Sequence, residues 1–221
     1  MCGRYFIDTL PETIGDAFDL IRVPKLEVSY NVAPTQLQPI VLAAEGERRL
    51  GPARWGLIPF WAKDAKIGNR MINARSETVA SKPAFRQSWQ KRRCLVPASG
   101  FYEWKKVAGG KQPYAIRPQQ GDLLAFGGLW DRWENPEGEV VISYSILTTT
   151  PNDTVAFVHD RMPVVVGPDR FEAWLTAPAD ELQDDLKPAP NDLLRAYPVS
   201  RDVGSPRNNR PDLLDPVEPA G

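Results

Sequence analysis

Twenty-two prolines are spread through the 221 residues, and they forbid long helices in most of the chain. What remains is a series of short apolar and aromatic runs. Pro11 to Leu20 predicts a short amphipathic helix, with Ile14, Phe18 and Ile21 on one face and Pro11 in its first turn. Thr78 to Arg92 predicts a second helix after its proline, with Phe85 and Trp89 on one face. Strands are expected at Gln38–Ala43, Tyr114–Ile116, Leu123–Trp130, Val140–Thr149 and Met162–Val166. A charged turn follows the first of these at Glu45–Arg49, and Ala53–Trp61 reads as a strand and a bend broken by Gly56 and Pro59. Arg93–Trp104 reads as strand, bend, strand, and Phe171–Leu175 opens a further short helix. Many short strands with few helices argue for an α+β fold. We expect a single compact domain of strongly bent, mostly antiparallel β-sheets with a few short helices. Residues 1–200 are expected to form that domain. Residues 201–221, polar and rich in Pro, Asn and Asp, are expected to be a C-terminal tail, at least partly disordered.

Composition narrows the class. Hydrophobic residues make up 42% and charged residues 25%, as in globular domains. No run reaches a membrane span and no apolar signal core opens the chain, so no membrane partner and a cytoplasmic location are expected (nucleoid-associated in a bacterium, nuclear in a eukaryote). Two cysteines and one histidine are too few for a disulfide framework or a usual zinc site, so neither metal nor other cofactor is expected. Net charge is −1, but its distribution is uneven. From Arg54 to Arg93 ten basic residues face only Asp64 and Glu77. Such a stripe is either a solvated face or a track for a polyanion.

Cys2 follows the initiator methionine. If Met1 is removed, Cys2 presents an α-amine and a thiol on adjacent carbons, with reference pKa values of roughly 7.7–8.0 and 8.5. Such a 1,2-aminothiol captures an aldehyde as an imine and closes it to a thiazolidine. The alternative is an ordinary small residue behind the start codon. Three other segments bear chemistry: Asn73–Glu77, Gly100–Trp104 and His159–Pro163. Glu103, set among Phe101, Tyr102 and Trp104, is either a surface carboxylate or a buried acid–base group of raised pKa. His159, beside Asp160 and Arg161 just before a buried strand, is either structural or tuned by those two for proton transfer. Asn73 suits orienting an amine or a sugar hydroxyl, or simply a turn. Arg4, Arg75 and Arg161 each lie within three residues of one of these groups, and their planar forks match phosphates. Trp61, inside the basic stretch, is the best base-stacking candidate, and Lys82 and Arg86 are further candidate contacts. Cys94 reads as core.

These segments, with Tyr30–Thr35 and Arg54–Leu57, resemble the SOS response-associated peptidase (SRAP) family from Cys2 to about Val166. The resemblance implies recognition of abasic sites in single-stranded DNA and a covalent crosslink through Cys2. It implies that Asn73 orients the amine and sugar, that Glu103 shuttles protons, and that His159 acts on the sugar hydroxyl and supports a β-elimination. Arg4, Arg75 and Arg161 would hold flanking phosphates. The peptidase of the family name is best explained by loss of Met1, autocatalytic or not. The expected partner is lesion-bearing single-stranded DNA, bound by a monomer. Two rivals stay open: an N-terminal-nucleophile amidohydrolase, and a reader of modified bases that does no chemistry.

Overall fold

The structure, a computed structural model, describes residues 2–219; Met1, and with it the question of its removal, lies outside them. In chain order the strands and helices are β1 (Tyr5–Ile7), α1 (Pro11–Phe18), β2 (Ser29–Val32), β3 (Leu37–Ala44), β4 (Glu47–Trp55), β5 (Asn73–Arg75), α2 (Arg86–Lys91) and β6 (Arg93–Ala98). They continue as β7 (Gly100–Val107), β8 (Gly110–Pro118), β9 (Leu124–Glu134), β10 (Val140–Thr149), α3 (Asp153–Ala156), β11 (Met162–Pro163), α4 (Phe171–Thr176) and β12 (Leu194–Pro198). The α+β architecture expected from the sequence is what forms.

One sheet runs β12-β8-β7-β1-β2, with every pairing antiparallel. In the other, β10 pairs with β9 on one side and β4 on the other, and β4, β3, β6 and β9 complete the ring. Closure into this five-stranded barrel leaves those strands no free edge. The β10–β4 and β10–β5 pairings are parallel. The two sheets join at Ser99, the single residue between β6 and β7. The next residue must be glycine: a Cβ on Gly100 would lie 2.3 Å from Phe6 Cζ and 2.5 Å from the Ile116 carbonyl oxygen. The main core fills the barrel and the space between it and the open sheet, with Tyr5, Trp55, Phe101, Phe126 and Tyr144 fully buried. A smaller cluster on the outer face of the open sheet joins Phe6 and Tyr102 to Val199, Val203 and Leu213.

Several boundaries differ from expectation. Helix α1 stops at Phe18 because Asp19 turns left-handed (φ 53°), so Ile14 and Phe18 are buried but Ile21 is exposed. The charged turn shrinks to Glu45 and Gly46, both at positive φ, because Glu47 to Arg49 pair with β3. The helix expected after the proline of Thr78–Arg92 forms over Arg86–Lys91, with turns on the Pro83 side of it. Trp89 is buried as expected. Met162–Val166 is buried, but only Met162 and Pro163 form strand, with Val165 adding an isolated bridge to Phe126.

The expected tail is corrected as far as Pro219. Residues after Ser200 fold back over β1 and β2, burying Val203 and Leu213 fully. The reason is a polar clamp that composition does not reveal. Asn31 Nδ2 donates to the carbonyls of Val203, Ser205 and Asn208 at 3.2, 3.0 and 2.8 Å, and Asn31 Oδ1 accepts from Arg4. Ala220 and Gly221 lie outside the described residues. Among the described residues no helix is long and apolar enough to cross a membrane.

Candidate active site

Four segments remote in sequence meet where the open sheet faces β5 and β10. Cys2 lies on the approach to β1, whose register (Tyr5 opposite Phe101, Phe6 opposite Gly100) carries Gly3 toward Glu103 on β7. The Tyr102 amide donates to the Arg4 carbonyl at 3.0 Å, which continues that pairing. From the barrel side, Asn73 Nδ2 donates to the Cys2 carbonyl oxygen at 2.8 Å. Strand β5 is held in parallel register against Ile146–Thr148 of β10, which places Asn73 at this point. Asn73 Oδ1 is buried with no hydrogen-bond partner among the described residues. A buried acceptor left without a donor costs about 1–3 kcal/mol. Beneath lies an aromatic floor: Tyr5 packs edge-on against Trp55, and its hydroxyl meets that of Tyr144 at 2.7 Å.

Glu103 is 2% exposed. Strand alternation sends it to the face of Phe101, toward the barrel, while Tyr102 enters the outer cluster. Burial pushes its pKa up from 4.5 to about 7, so near neutrality it is poised both to give and to take a proton. His159 Nε2 lies 3.8 Å from Glu103 Oε2. The Arg161 amide donates to His159 Nδ1 at 3.0 Å, and Asp160 Oδ1 lies 3.0 Å from the same nitrogen. Burial lowers the pKa of this imidazole below its usual value, which favours the neutral form. The Cys2 thiol is fully buried and donates to the Arg4 carbonyl at 3.7 Å. Burial first, and the Glu103 carboxylate second, push the thiol's pKa well up, so the sulfur is protonated as it stands. Cys94 is core, as expected.

The arginines divide. Arg75 is exposed, whereas the forks of the other two are occupied by protein acceptors. Arg161 binds Glu77 through both carboxylate oxygens at 2.5 and 2.9 Å and the Thr148 carbonyl at 2.6 Å. Arg4 holds Asn31 and the carbonyls of Val203 and Gly204. Both thus fix segments that carry reactive groups, His159 in one case and Cys2 in the other. Within the basic stretch, Arg93 is buried and holds carbonyls of Trp89, Trp174 and Ala177, and Arg92 pairs with Asp131. Lys82 and Arg86 are exposed, and Trp61 is 49% exposed beside Phe60 at 50%. The loop presenting this aromatic pair is pinned by three bonds: Ile58 N to Ser143 Oγ at 2.8 Å, Phe60 N to Asp131 Oδ2 at 3.0 Å, and Trp133 Nε1 to the Ala62 carbonyl at 2.7 Å.

Sequence reasoning missed Asn31, Glu77 and Asp131 as supports. Asn31 and Glu77 sit inside noticed motifs, but the partners that give them meaning are 172 and 84 residues away. Asp131 carries no local signal at all.

The model for SOS response associated peptidase (SRAP) matches residues 1–206. The chain is 44% identical over 223 residues to abasic site processing protein YoaM of Bacillus subtilis, covering 97% of this chain and 98% of that one. It is 35% identical to abasic site processing protein HMCES of Gallus gallus, covering 90% and 69%. A crystal structure of a protein from Bacteroides thetaiotaomicron superposes with a TM-score of 0.88 at 26% identity, over 98% of this chain and 100% of that one. Another, from Bordetella bronchiseptica, gives 0.79 at 31%, over 90% and 100%. With its motifs in order and its fold shared over nearly its whole length, this chain belongs to the SRAP family.

Proposed function

We propose that this protein captures abasic sites in single-stranded DNA as a covalent thiazolidine formed by Cys2 once Met1 is gone. The observation that carries the reading is the meeting of Asn73, Glu103 and His159 around the backbone of Cys2. Relatives named as abasic site processing proteins support it, as does the exposed cationic and aromatic surface from Trp61 to Arg86.

Each step uses a group already described. His159 exchanges a proton with the sugar hydroxyl as the deoxyribose ring opens to its aldehyde. The Cys2 amine then bonds to C1′, and the resulting hydroxyl leaves as water, giving an imine. Because the thiol is protonated, the sulfur needs a base. Glu103, with its pKa near 7, accepts the thiol proton as sulfur bonds to C1′ and returns a proton to nitrogen. The ring closes with net loss of one water. Asn73 holds the Cys2 backbone so that amine and sulfur face the same carbon. Abstraction of a proton from C2′ of the imine instead would cleave the strand by β-elimination, the associated lyase reaction. Hydrolysis of the Met1–Cys2 bond is the self-processing that the family name describes. The product is a shield over a lesion in an exposed strand.

The intact mass of the purified protein, before and after incubation with abasic single-stranded DNA, tests this. The expected result is loss of Met1 and gain of one oligonucleotide less one water, with Cys2→Ala gaining nothing. An adduct of the same mass on Cys2→Ala would overturn the proposal.

A further inference from the structure

A second cationic and aromatic surface lies outside the basic stretch, at the other lip of the site. Strand alternation puts Lys105 on the same face of β7 as Glu103, and the β7–β8 register sets Tyr114 opposite Glu103 on that face. Phe157, two residues before His159, meets the Tyr114 ring edge-on at 5.3 Å between centroids. Lys105 Nζ sits 5.2 Å from the Phe157 centroid. Phe157 nevertheless remains 46% exposed, an apolar ring at the surface that the core does not use.

The two surfaces flank the reaction centre along β10. The loop bearing Phe60 and Trp61 is bonded to Ser143 near the start of that strand, while α3 and Phe157 follow its end at Thr149. Six residues of strand separate those points by roughly 20 Å. A strand lying across Cys2 from the Trp61 side continues onto Phe157. A ring beside an ammonium group offers what a single-stranded nucleotide needs there: a stacking face for the base and a cation for the phosphate.

We propose that Phe157 and Lys105 form a second single-stranded DNA ledge, which holds the nucleotides on the opposite side of the lesion from Trp61. This rests on the abasic-site reading above and adds a direction to it. The test is fluorescence anisotropy at about 100 mM salt. Three single strands carry tetrahydrofuran, an abasic analogue without an aldehyde, at the centre, near the 5′ end or near the 3′ end. Phe157→Ala should weaken binding of the central strand about tenfold, and Lys105→Ala about threefold. The loss should persist on one of the two end-lesion strands and vanish on the other, which has no nucleotides to reach the ledge. Lys105→Ala should lower the slope of log affinity against log salt by about one, and Phe157→Ala should leave it unchanged. Phe157→Trp, which keeps a stacking face, should bind as wild type and controls for folding. Equal losses on both end-lesion strands, or none on the central strand, would overturn the ledge. Wild-type crosslinking to a natural abasic strand is run beside it. Its absence would sink the abasic-site reading, while the tetrahydrofuran series still decides the ledge.

Discussion

Glu103 shows the cost of function at the scale of one residue. Folding raises its pKa from 4.5 to about 7, chiefly by burial. The folded state therefore holds the proton more tightly than the unfolded state. The stabilising contribution is fully present below about pH 4.5 and is lost as the pH rises through about 7. Glu103→Gln removes the titration. It should match wild type in urea unfolding at pH 4 and exceed it by about 3 kcal/mol at pH 8, with little adduct at either pH. A constant difference between the two pH values would contradict a buried, titrating carboxyl. Arg75 is the converse case, a charge that stays exposed. Arg75→Ala should weaken affinity for single-stranded DNA and lower its salt slope by about one, with the melting temperature unchanged. An unaltered slope would remove Arg75 from the phosphate contacts.

At the scale of elements, the site depends on short strands held by side-chain clamps rather than by long ladders. Strand β1 has three residues and β5 has three, too few to be rigid alone. The Arg4 and Asn31 clamp ties the start of β1 and the end of β2 to the returning chain, through one buried amide and one guanidinium. Asn31→Ala takes the side-chain donor from the Asn208 carbonyl and an acceptor from Arg4, while the Val203 carbonyl keeps Arg4 and the Ser205 carbonyl keeps the Asn208 amide. It should cost about 2–4 kcal/mol of unfolding free energy and slow adduct formation by still-folded protein. An unchanged rate at lower stability would show that the clamp serves the fold alone. The Asp131 carboxylate plays a similar part for the loop of Phe60 and Trp61, binding its backbone at Phe60. That loop can present two large rings to solvent because its backbone is fixed.

For the whole molecule, the two ends of the chain form one unit. Val203 and Leu213 cover Phe6 and Tyr102, and Val217 N donates to the Pro198 carbonyl at 3.0 Å. Ending the chain after Ser200 should lower the melting temperature and abolish adduct formation, although no catalytic residue is removed. A truncated chain that crosslinks at the full rate would make the returning segment dispensable. How much was legible follows from the range of each signal. Proline spacing and short β-branched runs are local, so the α+β class, the bend between Ala98 and Gly100, and most strands are visible in the sequence. The candidate groups Cys2, Asn73, Glu103 and His159 are also visible, because each has a side-chain chemistry that stands out beside its neighbours. Their meeting is not visible: only the barrel's closure through β10 and the register of β1 on β7 bring position 2 to positions 73, 103 and 159. The roles of the arginines are hidden for the same reason. Composition counts Arg4, Arg93 and Arg161 as surface charge, but tertiary packing turns each toward protein acceptors, since a buried guanidinium must be fully hydrogen-bonded to be tolerated. The sequence alone determined the reactive groups and the kinds of elements. The tertiary structure alone decided which groups meet and which charges stay in water, because both depend on burial and on contacts between residues far apart in the chain.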